Sequence, residues 1–202
     1  MIAIIDYDAG NIKSVEKAVQ HLGRECVLTR DAATIKGADH VILPGVGAFG
    51  DAMARLEEYA LIDVIREVCD GGTPFLGICL GLQLLFDSSE ESPGAEGLRI
   101  LKGTIRRLPE DKGLKVPNIG WNSLELQGGG GRLFAGTAQG SFVYFVHSFY
   151  LDAADKSIVT SNIDYGVRVD ASVESGNVFA CQFHPEKSSD TGLGILERFL
   201  NV

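Results

Sequence analysis

Cys79 stands in Leu76-Gly77-Ile78-Cys79-Leu80-Gly81, between the apolar run Pro74–Ile78 and a helix-like segment Leu80–Phe86. Gly-x-Cys-x-Gly at a strand-to-helix junction has the form of a nucleophile elbow, a turn so sharp that side chains on its flanks would clash. A free thiol has a pKa of about 8.5, so it needs help to ionise near neutrality. The start of the following helix offers free N–H groups and partial positive charge. A neighbouring imidazolium would favour the thiolate further. The plain alternative is a buried cysteine whose two glycines only let a helix pack on a sheet.

A cysteine nucleophile needs a base, and the base needs a group that orients it. Gln182-Phe183-His184-Pro185-Glu186-Lys187-Ser188 supplies both. Residues two apart in an extended chain point the same way, so His184 and Glu186 can face one site. Glu186 would hold the imidazole in one tautomer and stabilise its charged form. The other histidines are less suited. His21 and His40 have no carboxylate in register and suit surface roles, while His147, at the end of Tyr144-Phe145-Val146-His147, can line a pocket.

Acyl transfer also requires donors for the developing oxyanion. The N–H of Leu80 is the expected first donor. The second is expected from Pro44-Gly45-Val46-Gly47, whose glycines let backbone N–H groups approach a ligand closely. Gly128–Gly131 is no phosphate cradle, because it lacks the Gly-Lys-Ser/Thr ending, and reads as a flexible loop.

The chain has 202 residues and a formal net charge of -9, with hydrophobic content of 45%, which predicts one folded domain over 1–202. The acidic balance argues against nucleic acid or an anionic membrane as partner. No apolar run reaches the ~18 residues of a membrane span. Cys26, Cys69, Cys79 and Cys181 form no CxxC pair and have no zinc-ligand spacing, so no metal and no cofactor are expected. Unpaired cysteines fit a reducing cytoplasm, with Cys26, Cys69 and Cys181 as buried, inert thiols.

The elements that must hold these groups read as an α/β fold with a mostly parallel central sheet flanked by helices. Strands are predicted at Ile2–Asp6, Cys26–Leu28, His40–Leu43 and Pro74–Ile78, and helices at Ile12–Leu22, Asp51–Glu57, Leu61–Cys69 and Leu80–Phe86. The second half alternates in short runs at Gly103–Leu108, Trp121–Leu126, Phe142–Val146, Val167–Glu174 and Val178–His184. These predict antiparallel strands added to the first sheet, closed by a helix over Gly192–Leu200.

Gly77-Ile78-Cys79-Leu80-Gly81 with the later His184-Pro185-Glu186 resembles the class I, or triad, glutamine amidotransferases. Pro44–Gly50, Gly120-Trp121-Asn122, Tyr144–Ser148 and Gln182–Ser189 are similar to the branch that serves imidazole glycerol phosphate synthases. The likeness covers nearly the whole chain. It implies hydrolysis of glutamine's side-chain amide through a Cys79 thioester, in histidine biosynthesis. It also implies a heterodimer with a (β/α)₈-barrel cyclase subunit that uses the ammonia. By position, the triad would be Cys79, His184 and Glu186. Gly45, Val46, Gly47 and Leu80 would surround the oxyanion, and Gln83, His147, Ser148 and Phe149 would hold glutamine. Asn11, Trp121 and Lys187 would lie toward the partner. Asp8, Leu82, Asn118 and Ile119 depart from the family's usual glycine, methionine, histidine and methionine. The glutaminase of another synthase, such as the pyridoxal-phosphate synthase, and a cysteine hydrolase of another elbow-bearing family are the alternatives.

Overall fold

A computed structural model describes all of Met1–Val202. Along the chain lie β1 (Ile2–Ile5), α1 (Ile12–His21), β2 (Cys26–Thr29), α2 (Ala32–Lys36), β3 (His40–Leu43), α3 (Phe49–Glu58), α4 (Leu61–Asp70), β4 (Phe75–Ile78), α5 (Leu80–Leu84) and β5 (Ser88–Ser89). The second half holds β6 (Gly103–Arg107), β7 (Asn118–Ser123), β8 (Glu125–Leu126), β9 (Phe142–His147), β10 (Phe149–Ala153), β11 (Val159–Asp164), β12 (Arg168–Ser175), β13 (Val178–Cys181) and α6 (Ser189–Phe199).

Period-two alternation decides which core each strand residue joins. In β1, Ala3 and Ile5 face one core with Leu43 and Phe75, while Ile2 and Ile4 face the other with Val15, Val19 and Phe199. A strand apolar on both faces belongs in the interior of a sheet covered on both sides. The sheet runs β2-β1-β3-β4-β13-β12-β10-β6-β5, parallel from β2 to β13 and antiparallel from β13 through β6. β11 and then β8 branch from β12.

Two features depart from the sequence reading. The run Trp121–Leu126 divides at Leu124, which is fully buried. β7 before it pairs only with β9 in a separate two-stranded sheet, whereas β8 after it joins β11. The last predicted strand ends at Cys181 and inserts beside β4 in parallel register, with Cys181 opposite Ile78. Two strands, β10 and β11, and the short α2 carried no strong periodic signal. Asp31 caps α2, accepting from Thr34 N–H at 2.8 Å.

The chain's reactive groups gather where parallel strands end. The turns after β1, β3, β4 and β13 carry Asn11, Gly45, Cys79 and Gln182, all at the carboxyl edge of one sheet. That edge is where open α/β sheets place their ligands.

Candidate active site

The elbow is built by exclusion of side chains. A Cβ on Gly77 would lie 2.6 Å from the Gly81 carbonyl oxygen, and one on Gly81 would lie 1.9 Å from that of Leu43. No larger residue fits either place, so β3, β4 and the start of α5 press together. Cys79 itself takes φ 55 and ψ -108, a conformation that costs about 1–3 kcal/mol and persists only where the surroundings enforce it. α5 is only five residues long, shorter than the predicted Leu80–Phe86. Its dipole is correspondingly small, so side chains must do most of the work on the sulfur.

His184 is its neighbour across the cleft floor. The His184 Nδ1–H donates to Glu186 Oε1 at 2.8 Å, and Cys79 and Glu186 both favour the charged form of the ring. The pairing does not use extended geometry throughout: Pro185–Lys187 forms a 3₁₀ turn that swings Glu186 beneath the ring. Both side chains are buried, His184 at 2% exposure and Glu186 at 0%. Burial alone would lower the His184 pKa, but the hydrogen bonds and charges of Cys79 and Glu186 overcome it and raise the value to about 9. The turn is tied to the second sheet. His184 N–H donates to Tyr144 O at 2.9 Å, and Ser188 Oγ bridges the His184 carbonyl and the Tyr144 N–H.

These groups open into a cleft of about 330 Å³ lined by Val46, Gly47, Cys79, Leu80, Gln83, Glu91, Pro117, Val146, His147, Ser148, Phe149, His184 and Lys187. The predicted substrate-side residues Gln83, His147, Ser148 and Phe149 therefore meet at one place. His147 is neutral there: burial pushes its pKa down to about 4. The Phe149 carbonyl, which can only accept, lies 2.9 Å from Nδ1 and so fixes the proton on that nitrogen. Nε2 is left to accept from Asn118 Nδ2 at 3.1 Å.

The oxyanion loop has a different arrangement from the expected one. Leu80 N–H donates to the Gly45 carbonyl at 3.2 Å. The first donor is thus occupied by the loop that was to provide the second. Tyr7 braces this loop, its hydroxyl donating to Pro44 O at 2.9 Å.

Asn11 was expected to face a partner. It is half-buried, with φ 67, and its Nδ2 donates to Glu186 Oε1 at 2.7 Å. Asp8 is also left-handed, with φ 63, a conformation that glycine adopts without steric cost. Its carboxylate is held by Arg30 at 2.6 Å and by Tyr59, and these hydrogen bonds lower its pKa. Trp121 is 51% exposed and is no core residue. It stacks edge-on against Tyr144 and shares the outer face of the two-stranded sheet with Ile119 and Phe142, themselves 61% and 58% exposed. Lys187 is exposed at the cleft rim. Among the other cysteines, Cys69 and Cys181 are buried, and burial raises Cys69 to about 12. Cys26 is only half-buried. His40 is not a plain surface residue, since it packs edge-on against Phe199.

Glu91 and Pro117, which line the cleft, and Gln182, which touches Cys79, were given no role in the sequence reading. Glu91 comes from an acidic surface-like run, Ser88–Glu91, with no signal to single it out. Gln182 lies two positions before His184 in an extended run, and that same-side spacing was a usable sign.

A buried Cys, His and Glu gathered at the carboxyl edge of parallel strands, facing a cleft, is the geometry of an acyl-transfer hydrolase. The model of the class-I glutamine amidotransferase family matches residues 3–202, and the chain belongs to that family. It is 52% identical over 205 aligned residues to the imidazole glycerol phosphate synthase subunit HisH of Bacillus cereus, covering 100% of this chain and 95% of that protein. It is 50% identical to the subunit of the same name from Moorella thermoacetica, covering 98% and 93%. Among solved structures, PurLQS from Thermotoga maritima matches with a TM-score of 0.75 at 22% identity, over 99% of this chain and 97% of that one, a likeness of fold. The enzyme is thus a glutamine amidotransferase of the HisH kind.

Proposed function

We propose that residues 1–202 act as one glutaminase domain that hydrolyses the side-chain amide of glutamine and passes the ammonia to a (β/α)₈-barrel cyclase subunit in histidine biosynthesis. The single observation that carries the reading is the convergence of Cys79 and His184 at the floor of one cleft, with Glu186 hydrogen-bonded to the buried imidazole from behind.

The Cys79 thiolate attacks the amide carbon, and a C–S bond forms. His184, held protonated by its two partners, gives its Nε2 proton to the departing nitrogen, and ammonia leaves with the C–N electron pair. The neutral imidazole then takes a proton from water, whose oxygen attacks the thioester carbonyl. The C–S bond breaks, glutamate is released and the thiolate returns. Glu91 is the one carboxylate lining the cleft. One of its oxygens accepts from Phe49 N–H at 2.7 Å, and the charge that remains suits the α-ammonium of an amino-acid substrate.

The bond from Leu80 N–H to Gly45 O sets the resting state. Stabilising the oxyanion requires the Gly45–Val46 peptide to rotate, which removes the blocking carbonyl and turns an N–H toward the site. Docking of the cyclase beside the cleft is the event that favours the rotated form. The apolar face of Ile119, Trp121 and Phe142 suits such docking, because exposed clusters of large apolar residues mark interaction surfaces. A cytoplasmic location is supported by four unpaired cysteines. No helix is long and apolar enough to cross a membrane.

The decisive experiment mixes the chain with the cyclase, adds glutamine, and follows glutamate with and without the cyclase's own substrate. Strong stimulation is expected over the chain alone. Cys79→Ala abolishes glutamine-dependent synthesis and leaves synthesis from added ammonia intact. Undiminished glutamine turnover by that variant would overturn the reading.

A further inference from the structure

Gln182 follows β13 as Cys79 follows β4. The parallel register pairs Cys181 with Ile78, and Cys79 N–H donates to Cys181 O at 2.8 Å. The next residue of each strand therefore leaves the sheet side by side. Gln182 is pinned from behind, its N–H donating to Ala171 O at 2.8 Å, and it is 0% exposed. A fully buried carboxamide is costly unless its polar atoms are satisfied, so its orientation is determined by its partners.

Those partners form a chain with a fixed direction. The Phe149 carbonyl can only accept a hydrogen bond. It lies 3.2 Å from Gln83 Nε2, which identifies that end of the Gln83 amide as the donor. Gln83 Nε2 also donates to Gln182 Oε1 at 3.0 Å. Gln182 Nε2 is thereby turned toward Cys79 Sγ, 3.8 Å away. A flipped amide would set N–H against N–H on one side and oxygen against sulfur on the other.

The sulfur thus has competing neighbours. In the thiol form it donates to Val146 O at 3.9 Å, a contact that favours the proton staying on. Gln182 and His184 are N–H donors, and donors to an ionised acceptor are stronger than neutral pairs. Of the other titratable groups around the sulfur, Tyr7 and Cys181 are kept neutral by burial. His147 is neutral, Glu186 lies behind His184, and Glu91 and Lys187 face the cleft from its walls.

We propose that Gln182 is a catalytic residue, a carboxamide donor that stabilises the Cys79 thiolate before attack and again when sulfur is expelled from the thioester. The inference rests on the glutaminase reading and adds a group to it. It also joins the cleft wall to the nucleophile, because Gln83 both lines the cleft and orients the Gln182 amide.

The test uses the full-length chain with Gln182→Met, which removes the donor at similar length, and Gln182→Glu, which keeps the shape and Gln83's acceptor but replaces the donor with a charge. The rate of Cys79 alkylation by iodoacetamide is followed against pH by mass spectrometry of the Cys79 peptide, with thermal unfolding as the control of fold. Loss of one donor to the thiolate moves the alkylation midpoint up by about 1 pH unit in Gln182→Met, so that the rate on the acid side of the wild-type midpoint falls about tenfold. Gln182→Glu moves it at least as far. A packing role alone lowers the melting midpoint and leaves the alkylation midpoint at the wild-type value, and that result in a folded variant overturns the proposal. If Gln182→Met does not fold, Gln182→Leu takes its place, because a carboxylate at this position raises the midpoint by charge alone. Glutamine hydrolysis by the wild-type chain with the cyclase, measured alongside, separates the two claims. Its absence removes the glutaminase reading, whereas an unchanged midpoint in chains whose wild type hydrolyses glutamine removes only the role of Gln182.

Discussion

Asn11 and His184 share one oxygen: Glu186 Oε1 accepts from Asn11 Nδ2 at 2.7 Å and from His184 Nδ1 at 2.8 Å. The other carboxylate oxygen, Oε2, is buried with no partner in the protein. The orientation of the imidazole therefore depends on a residue 173 positions earlier in the chain. The turn after β1 is thus bonded to the proposed triad through Glu186.

From this pairing, Asn11→Ala should lower kcat for glutamine hydrolysis by about 10–100-fold, the value of one hydrogen bond to a charged group. KM should move little, because Asn11 does not line the cleft. Steady-state glutamate production at saturating cyclase measures it. An unchanged kcat with weakened cyclase affinity would assign Asn11 to the partner surface alone.

The two cleft histidines predict opposite pH effects on folding. His147 is depressed to about 4 by burial, below the ordinary histidine value of 6.5. The unfolded chain binds the extra proton, so stability is lost as pH falls from 6.5 toward 4. Burial opposes charge on His184 too, but its hydrogen bonds to Cys79 and Glu186 prevail and raise it to about 9, from 6.5. There the folded chain holds the extra proton, so that contribution is full below 6.5 and disappears as pH rises to about 9. Thermal unfolding across this range should show its highest midpoint near pH 6.5. His147→Gln should flatten the acid side and His184→Gln the alkaline side. A wild-type midpoint that is flat from pH 4 to 9 would contradict both assignments.

Glu91 gives a prediction about substrate. Glu91→Gln keeps an oxygen for the Phe49 N–H but removes the charge facing the cleft. The KM for glutamine should rise by about tenfold or more, since hydrogen bonds between charged groups are about twice as strong as neutral ones. The wild-type enzyme should also prefer glutamine to analogues lacking the α-amino group, and the variant should lose that preference. Equal KM values for wild type and variant would place the ammonium elsewhere.

How much of this was legible depended on how local the signal was. Gly77, Cys79 and Gly81 sit within five residues, and their steric logic is complete within the elbow. His184 and Glu186 are two apart, so their pairing was visible, although Pro185 imposes a tight turn where an extended run was expected. Long-range placement was not legible. Nothing in Asn11 announces Glu186, because the contact exists only once β1 and β13 lie in the same sheet. The Gly45 carbonyl on Leu80 N–H is a matter of one peptide's orientation, which composition and spacing do not encode. The split of Trp121–Leu126 between two sheets was hidden because Leu124 continues the alternation while the chain changes partner.

Trp121 provides the last prediction. On β7 it projects from the outer face of the two-stranded sheet with Ile119, while Phe142 and Tyr144 flank it on β9. That sheet is bonded to the His184–Ser188 turn through Tyr144, so whatever covers the face also bears on His184, the proposed catalytic base. Half-exposed in the free chain, Trp121 adds little to the fold, and Trp121→Ala should change unfolding free energy by no more than about 0.5 kcal/mol. Its loss from a docking surface is another matter, because aromatic anchors are worth about 2 kcal/mol or more, roughly 30-fold in Kd. Titration of the variant with the cyclase measures that change directly. At saturating cyclase, glutamine turnover should recover much of its wild-type rate, as expected of a residue that binds the partner and takes no part in the chemistry. Wild-type affinity in a folded Trp121→Ala chain would move the docking surface away from this sheet.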